Sequence, residues 1–171
     1  TMDKRLNIEG ITARCKVRLL TPEDVPALLD LAAGHPLYYQ HLREEPTAEG
    51  FLEDLTNLPP RTTPEDKYYA GYFRDGRLIG ALDLITGFPA PETAFVGFFM
   101  LHKDVQGAGL GSALIGDLLA FLKDAGFRAV RLMYVKGNPQ SAAFWTKNGF
   151  TPTGVEPKQE NYTQVVLERT L

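Results

Sequence analysis

Residues 67–86, KYYAGYFRDGRLIGALDLIT, hold two β-rich runs joined at Asp75-Gly76. An Asp-Gly pair between such runs is the strongest short hairpin signal, because both residues tolerate the positive φ of a tight type I′ turn. Strands joined this way are antiparallel neighbours. A strict βαβ array is therefore excluded, and helical patterns elsewhere exclude a pure β-sandwich.

Those helical patterns occur four times. Thr21-Pro22-Glu23-Asp24 reads as N-cap, first-turn proline and acidic first turn; Val25, Leu28, Leu29 and Ala32 follow at helical spacing, and Gly34 with Pro36 forms the stop. A second helix is expected over about 47–58, with Phe51, Leu52, Leu55 and Leu58 on one face and Pro59-Pro60 ending it. A third, over about 109–125, aligns Leu110, Leu114, Leu118, Phe121 and Leu122, with Gly126 as C-cap. Asn138-Pro139 opens a fourth, closed by Gly149. Further strands are expected over 12–20, 93–101, 128–135, 151–156 and 162–170. The run 93–101, TAFVGFFML, is apolar on both faces, which marks a central strand. The order β α α β β β α β α β β defines an α/β (α+β) fold, a mixed sheet with helices on both faces.

Composition narrows the class of function. The 171 residues suit one domain, 1–171, with residues 1–10 as a loose polar lead-in. Eighteen Lys+Arg against 21 Asp+Glu give a net charge of −3, and no basic run occurs, so a nucleic-acid partner is not expected. Cys15 is the only cysteine, which excludes an intrachain disulfide and a Cys-based metal site. His35, His41 and His102 show no metal-ligand spacing, so no metal is expected. Apolar runs fall short of the ~18 residues of a membrane span, and no signal-peptide pattern opens the chain. The expectation is a soluble cytoplasmic protein with no membrane partner; a homodimer is left open.

The stretch Gln106-Gly107-Ala108-Gly109-Leu110-Gly111-Ser112 lies between a strand and a helix. Glycines there let the backbone turn sharply and approach a ligand closely. The following helix offers free N–H groups and a positive dipole end to a phosphate. A tight turn without a ligand would use the same residues, so that alternative stays open. The dinucleotide fingerprint G-x-G-x-x-G fails, because Ser112 stands at its sixth position counted from Gly107. The P-loop pattern fails as well, because Asp117 follows Gly116 where Lys is needed.

The pattern that fits is Gln-x-x-Gly-x-Gly, at Gln106, Gly109 and Gly111, and here the chain resembles the GCN5-related N-acetyltransferase (GNAT) superfamily. A second signature agrees: Asn138 at a helix start, Ala142 a turn later, Phe144-Trp145, and Gly149-Phe150. The resemblance is detailed over about 93–150, and the order of elements agrees from about 12 to 171. It implies a mostly antiparallel sheet whose central strand pair splays apart, with the pantetheine arm of acetyl-CoA in the opening. Phe99, Met100 and Leu101 would line that arm through backbone groups; as side chains they equally suit a core strand. An amide N–H near Leu101 would face the thioester carbonyl. Gln106 would open the turn, and Gly107, Ala108, Gly109, Leu110, Gly111 and Ser112 would hold the pyrophosphate. Asn138, with Ala142 and Trp145 on its helix, would border the pantetheine arm. The implied activity is acetyl transfer to a primary amine of a small molecule or peptide, by direct attack in a ternary complex. A chain that binds acyl-CoA without turnover is the other outcome.

Two family positions differ. Many members carry a Tyr seven residues after the Asn as acid, where this chain has Trp145, and some carry a Glu five residues before it as base, where this chain has Met133. Neither role carries over. A thiol with a pKa near ~8.5 leaves without obligatory protonation, and Tyr134 is the nearby candidate donor, or else a core aromatic.

Asp83 stands in the apolar run Gly80-Ala81-Leu82-Asp83-Leu84-Ile85. Counting outward from Arg74 opposite Arg77 places Tyr68 across from Asp83, where its hydroxyl would orient the carboxylate. A carboxylate in apolar surroundings has a raised pKa and suits the acceptance of a proton from an amine. Asp83 is therefore a candidate base and, with Tyr68, a candidate acceptor-binding residue; a purely structural Asp is the alternative. His35, Tyr38, Tyr39 and His41 cluster between the first two helices, where Tyr38 and Tyr39 are candidate acceptor contacts or simply a surface loop. His102 is expected in an exposed turn.

Overall fold

The computed structural model describes residues 5–171. In it the Asp-Gly hairpin is formed by β2 (Lys67–Arg74) and β3 (Arg77–Thr86), with Asp75 and Gly76 at φ 50° and 77°. Seven strands make one sheet in the order β1-β2-β3-β4-β5-β7-β6, completed by β1 (Lys16–Leu19), β4 (Thr93–Leu101), β5 (Ala129–Val135), β6 (Thr151–Pro152) and β7 (Gln164–Thr170). Every pairing is antiparallel except β4 with β5. That is the mixed, mostly antiparallel sheet expected.

Helices cover both faces, each over its own core. On one side α4 (Leu110–Asp124) and α5 (Pro139–Lys147) bury Leu114, Leu118, Leu122 and Trp145 against Leu82, Leu84, Val96 and Leu132. On the other, α1 (Val25–Ala33) and α3 (Ala48–Asp54) bury Leu28, Leu31 and Phe51 against Tyr69, Ala81 and Met100. Strand residues alternate between these cores, as a period of two requires.

Some expectations shift. Residues 36–42 form a short helix, α2 (Pro36–Leu42), where sequence spacing suggests a loop. Pro36 looks like a stop in the sequence, but at a first helical position proline starts a helix, because its missing N–H has no intrahelical acceptor to lose. α3 ends at Asp54, short of Pro59, and its N-cap Thr47 accepts from Gly50 N–H at 3.0 Å. The strands expected over 12–20, 151–156 and 162–170 are shorter, at Lys16–Leu19, Thr151–Pro152 and Gln164–Thr170. Of the lead-in, residues 1–4 lie outside the described residues. From residue 6 onward it is packed: Leu6 N–H donates to Tyr68 Oη at 2.8 Å, and Ile8 is buried in the α4 core. Among the described residues, no helix is long and apolar enough to cross a membrane.

Candidate active site

β4 and β5 pair only from Thr93–Ala129 to Val96–Leu132; beyond that point they part. β4 stays on β3 through Leu101, while β5 follows β7 through Val135. The result is a gap in mid-sheet between residues 97–101 and 133–135. Phe98, Phe99, Met133 and Tyr134 are only half-buried although they sit on central strands. A bulge between Asp83 and Leu84 of β3, opposite Gly97, accompanies the parting and adds local twist.

Backbone polarity along β4 sets what faces this gap. His102 N–H donates to Ile79 O of β3 at 2.7 Å. Neighbouring residues on a strand turn their backbone groups to opposite edges, so Leu101 N–H and C=O face away from β3, toward the gap side. The Leu101 carbonyl is held there by two side chains, His35 Nε2 at 2.6 Å and Gln106 Nε2 at 3.1 Å. Burial lowers the His35 pKa, with the neighbouring His102 charge adding to that, so a neutral ring donates this bond. Gln106, the first residue of the glycine motif, thus fixes the strand end through a carbonyl.

Past Gln106 the turn is open. Gly107 and Gly109 sit at φ 89° and 81°, and a Cβ at either would meet nothing within 4 Å. Their glycine requirement is therefore conformational. Gly109 caps α4, and the first helical bond is Ala113 N–H to Gly109 O at 3.1 Å, so the earlier N–H groups of the turn have no helical partner. Gly111 is glycine for another reason: a Cβ there would lie 3.1 Å from the Phe144 ring of α5. Ser112 Oγ accepts from Asn148 Nδ2 at 3.2 Å, which ties the start of α4 to the end of α5. Leu110 packs on the core beneath the turn, and Ala108 is exposed on it.

α5 starts at Asn138, whose side-chain oxygen accepts from Gln140 N–H and Ser141 N–H, both at 3.2 Å. Ala142 is half-buried one turn on. Trp145 is 8% exposed, with Phe144, Phe150 and Phe99 rings 4.9, 5.3 and 6.1 Å away. It is a core residue of this face, and Phe144 and Phe99, stacked at 6.1 Å, are the rings nearer the gap.

Asp83 lies on the opposite face, and its partner differs from expectation. A bulge at Ile79 shifts the hairpin register by one, so Asp83 pairs with Tyr69, and Tyr68 pairs with Leu84. Tyr68 therefore points into the α4 core, where its Oη holds Leu6 N–H; it is removed from the Asp83 environment. The group that meets Asp83 is Lys67, with Nζ 2.9 Å from both carboxylate oxygens and a hydrogen bond to Oδ2. Both side chains are buried. The facing Tyr69 Oη is buried with no hydrogen-bond partner, and Asp83 Oδ1 has only its ion-pair contact with Lys67. Burial pushes the Asp83 carboxyl up to about 6, against the pull of Lys67 and with a smaller push from Asp54. Lys67 carries no signal of this role in the sequence because it merely opens the strand; the glycine at 97 is the available signal. A Cβ there would sit 2.8 Å from Asp83 Oδ2, so glycine makes room for the carboxylate.

Above this pair is an aromatic wall. Phe98 stacks on Tyr69 at 6.4 Å and meets Tyr38 edge-on at 6.2 Å, and Tyr38 meets Tyr39 at 4.9 Å. Burial raises the Tyr38 hydroxyl to about 12 and moves Tyr39 and Tyr69 the same way, so all three are neutral. Tyr38 and Tyr39 are thus brought to the Asp83 side of the gap by α2, the helix that sequence spacing does not reveal. Tyr134 projects to the α4–α5 face, so the two halves of the gap carry Asp83 and Tyr134 separately. His102, expected in an exposed turn, is 4% exposed; its Nδ1 accepts from Asp104 N–H at 3.1 Å, and Arg77 and Asp30 flank Nε2.

Comparison with known proteins agrees with this geometry. The model of the Acetyltransferase (GNAT) family matches residues 32–150, and the chain belongs to that family. Among solved structures, an acetyltransferase from Thermus thermophilus is 27% identical, with a TM-score of 0.72 over 91% of this chain and 96% of that one. An acetyl transferase from Salmonella typhimurium, described as modifying the N-terminal serine of ribosomal protein L7/L12, shares the fold at 17% identity and a TM-score of 0.71, over 95% and 98% of the two chains. The PaiA N-acetyltransferase from Thermoplasma acidophilum, solved with coenzyme A, does so at 22% identity and a TM-score of 0.64, over 91% and 98%.

Proposed function

We propose that this chain moves the acetyl group of acetyl-CoA to a primary amine by direct attack while both are bound. The observation that carries the reading is the gap between β4 and β5, which ends at a positive-φ glycine turn capping a long helix. The donor set suits the cofactor. Free N–H groups at the start of α4 match a pyrophosphate, and an extended opening with backbone edges on both sides matches an amide-containing pantetheine arm. A neighbour of the same fold is described as a complex with coenzyme A.

Bound acetyl-CoA supplies a thioester whose carbonyl carbon is the electrophile. Residues 107–112 hold the phosphates, with Gln106 anchoring the turn to β4. Phe99 and Leu101, whose backbone groups face the gap, flank the arm; Met100, expected beside them, turns its backbone to β3 and its side chain into the α1–α3 core, and Asn138, Ala142 and Trp145 support the other side of the arm through α5. Leu101 N–H donates to the oxygen on which charge develops, a contact that strengthens as the carbonyl becomes tetrahedral. Tyr38, Tyr39 and Tyr69 wall the acceptor. Asp83, ionised above about pH 6, takes a proton from the acceptor ammonium directly or through water. Its Oδ1, held only by the ion-pair contact with Lys67, and the unpartnered Tyr69 Oη are the acceptor atoms offered to that ammonium. Tyr134, on the opposite face, is the candidate donor to the departing thiolate.

Thiol release from acetyl-CoA across a panel of amines tests this reading. Turnover is expected with at least one amine, and Asp83→Asn lowers kcat/KM at least ~10²-fold while sparing acetyl-CoA affinity. Thermal stabilisation by acetyl-CoA with no turnover on any amine would instead mark a binding module.

A further inference from the structure

A cleft of about 700 Å³ opens beside the gap. Leu37, Gln40, His41 and Arg43 of the α2 segment form one wall, and Lys136 and Tyr162 belong to the other. That volume is the size of a small-molecule site. Three lining side chains are basic, His41, Arg43 and Lys136, and none is a carboxylate. This bias runs against a chain of net charge −3. Lys136 shares its charge with Glu156, outside the lining, at 2.7 Å. Arg43 has no ion-pair partner among the described residues. Its backbone is set at φ 57° by the C-cap of α2, with its N–H on Gln40 O at 3.2 Å.

The cleft meets the gap at Val135, the end of β5, and Tyr38, on the helix that carries Leu37, Gln40 and His41, stands between the two. That ring is 6.2 Å from Phe98 at the parted strand, and its hydroxyl is close enough to feel Tyr162. Asp54 and Asp83 lie on the gap side, both acting on Tyr69, while Glu44 stands between, acting on Tyr38, Tyr39 and the cleft residue Tyr162. The path from cleft to gap thus runs from positive to negative.

We propose that the acceptor is a small amine carrying an anionic group, carboxylate or phosphate, which sits against Arg43, His41 and Lys136 while its amine points along Tyr38 and Phe98 toward Asp83. This rests on the acetyl-transfer reading above. A polycationic amine meets like charge in the cleft and is disfavoured.

The test is calorimetry on the intact chain saturated with CoA, using matched neutral and anionic probes that need no turnover. N-acetyl-β-alanine is compared with its amide, and N-acetyl-phosphoethanolamine with N-acetylethanolamine; the two pairs distinguish carboxylate from phosphate. In at least one pair the anion is expected to bind ~10-fold tighter or better, as one charge-assisted contact provides. Arg43→Gln, at an exposed position, is expected to bring that ratio close to one. Equal binding within both pairs, or a ratio that survives Arg43→Gln, overturns the proposal. Thiol release is followed separately, so failure of acetyl transfer shows there, while the anion-to-neutral ratio alone decides the role of the cleft.

Discussion

Removing both charges of the buried pair, in Lys67→Met/Asp83→Asn, should flatten the pH dependence of stability on the acid side. Burial lifts the Asp83 carboxyl from an ordinary 3.8 to about 6, a difference of roughly two units. At 1.36 kcal/mol per unit, that is ~3 kcal/mol of linked stability. The folded carboxyl keeps its proton to higher pH than the unfolded one, so the native state binds more protons between the two values. The contribution is fully present below about pH 4 and is lost as pH rises through about 6. Asp54 is also raised chiefly by burial and is pulled down by Lys67, so both chains carry Asp54→Asn and the comparison isolates the Lys67–Asp83 pair. Replacing both members of a buried ion pair is often close to neutral, which keeps the variant folded, whereas Lys67→Met alone leaves an uncompensated carboxylate and costs ~3–5 kcal/mol at neutral pH. Urea unfolding at four pH values from about 4 to 7 reads the slope directly. Parallel curves for parent and double variant would refute the claim that burial outweighs Lys67 at this carboxylate.

Three further outcomes are expected. Gly109→Val, at φ 81° with open space around it, loses ~1–2 kcal/mol to backbone strain, and its larger effect is weaker acetyl-CoA binding by titration; unchanged affinity in a folded variant would separate the turn from the cofactor. Asn138→Ala removes an acceptor for two N–H groups of α5 and costs ~1 kcal/mol, a melting-temperature drop of ~2–4 °C by calorimetry. Tyr134→Phe lowers kcat ~10²-fold without changing the KM for acetyl-CoA if its hydroxyl protonates the thiolate, and an unchanged kcat would assign the ring to packing.

Local chemistry is legible wherever one short signal decides an element. Asp75-Gly76 predicts the hairpin, the doubly apolar run 93–101 predicts a central strand with its observed ends, and Asn138-Pro139 predicts a capped helix. The glycine turn is legible too, although the three glycines serve different ends, two for φ and Gly111 for contact with Phe144. What escapes depends on long-range geometry. A single bulge at Ile79 moves Tyr68 to the other face and brings Tyr69 to Asp83, because a one-residue slip inverts a strand. Lys67 lies 16 positions from Asp83 and is invisible without that register. α2 is hidden because proline both stops and starts helices. His102 looks exposed in the sequence because ring partners such as Asp30 and Arg77 lie far away in the chain.

Coenzyme A binding in the β4–β5 gap is tested most directly by amide chemical-shift mapping of the isotopically labelled chain during titration with the cofactor. The largest shifts are expected on residues 106–112 and on the gap-facing stretches 97–101 and 133–135, with Leu101 among them. Saturable binding whose shifts avoid both the glycine turn and the β4–β5 gap, or no binding at all, would contradict it.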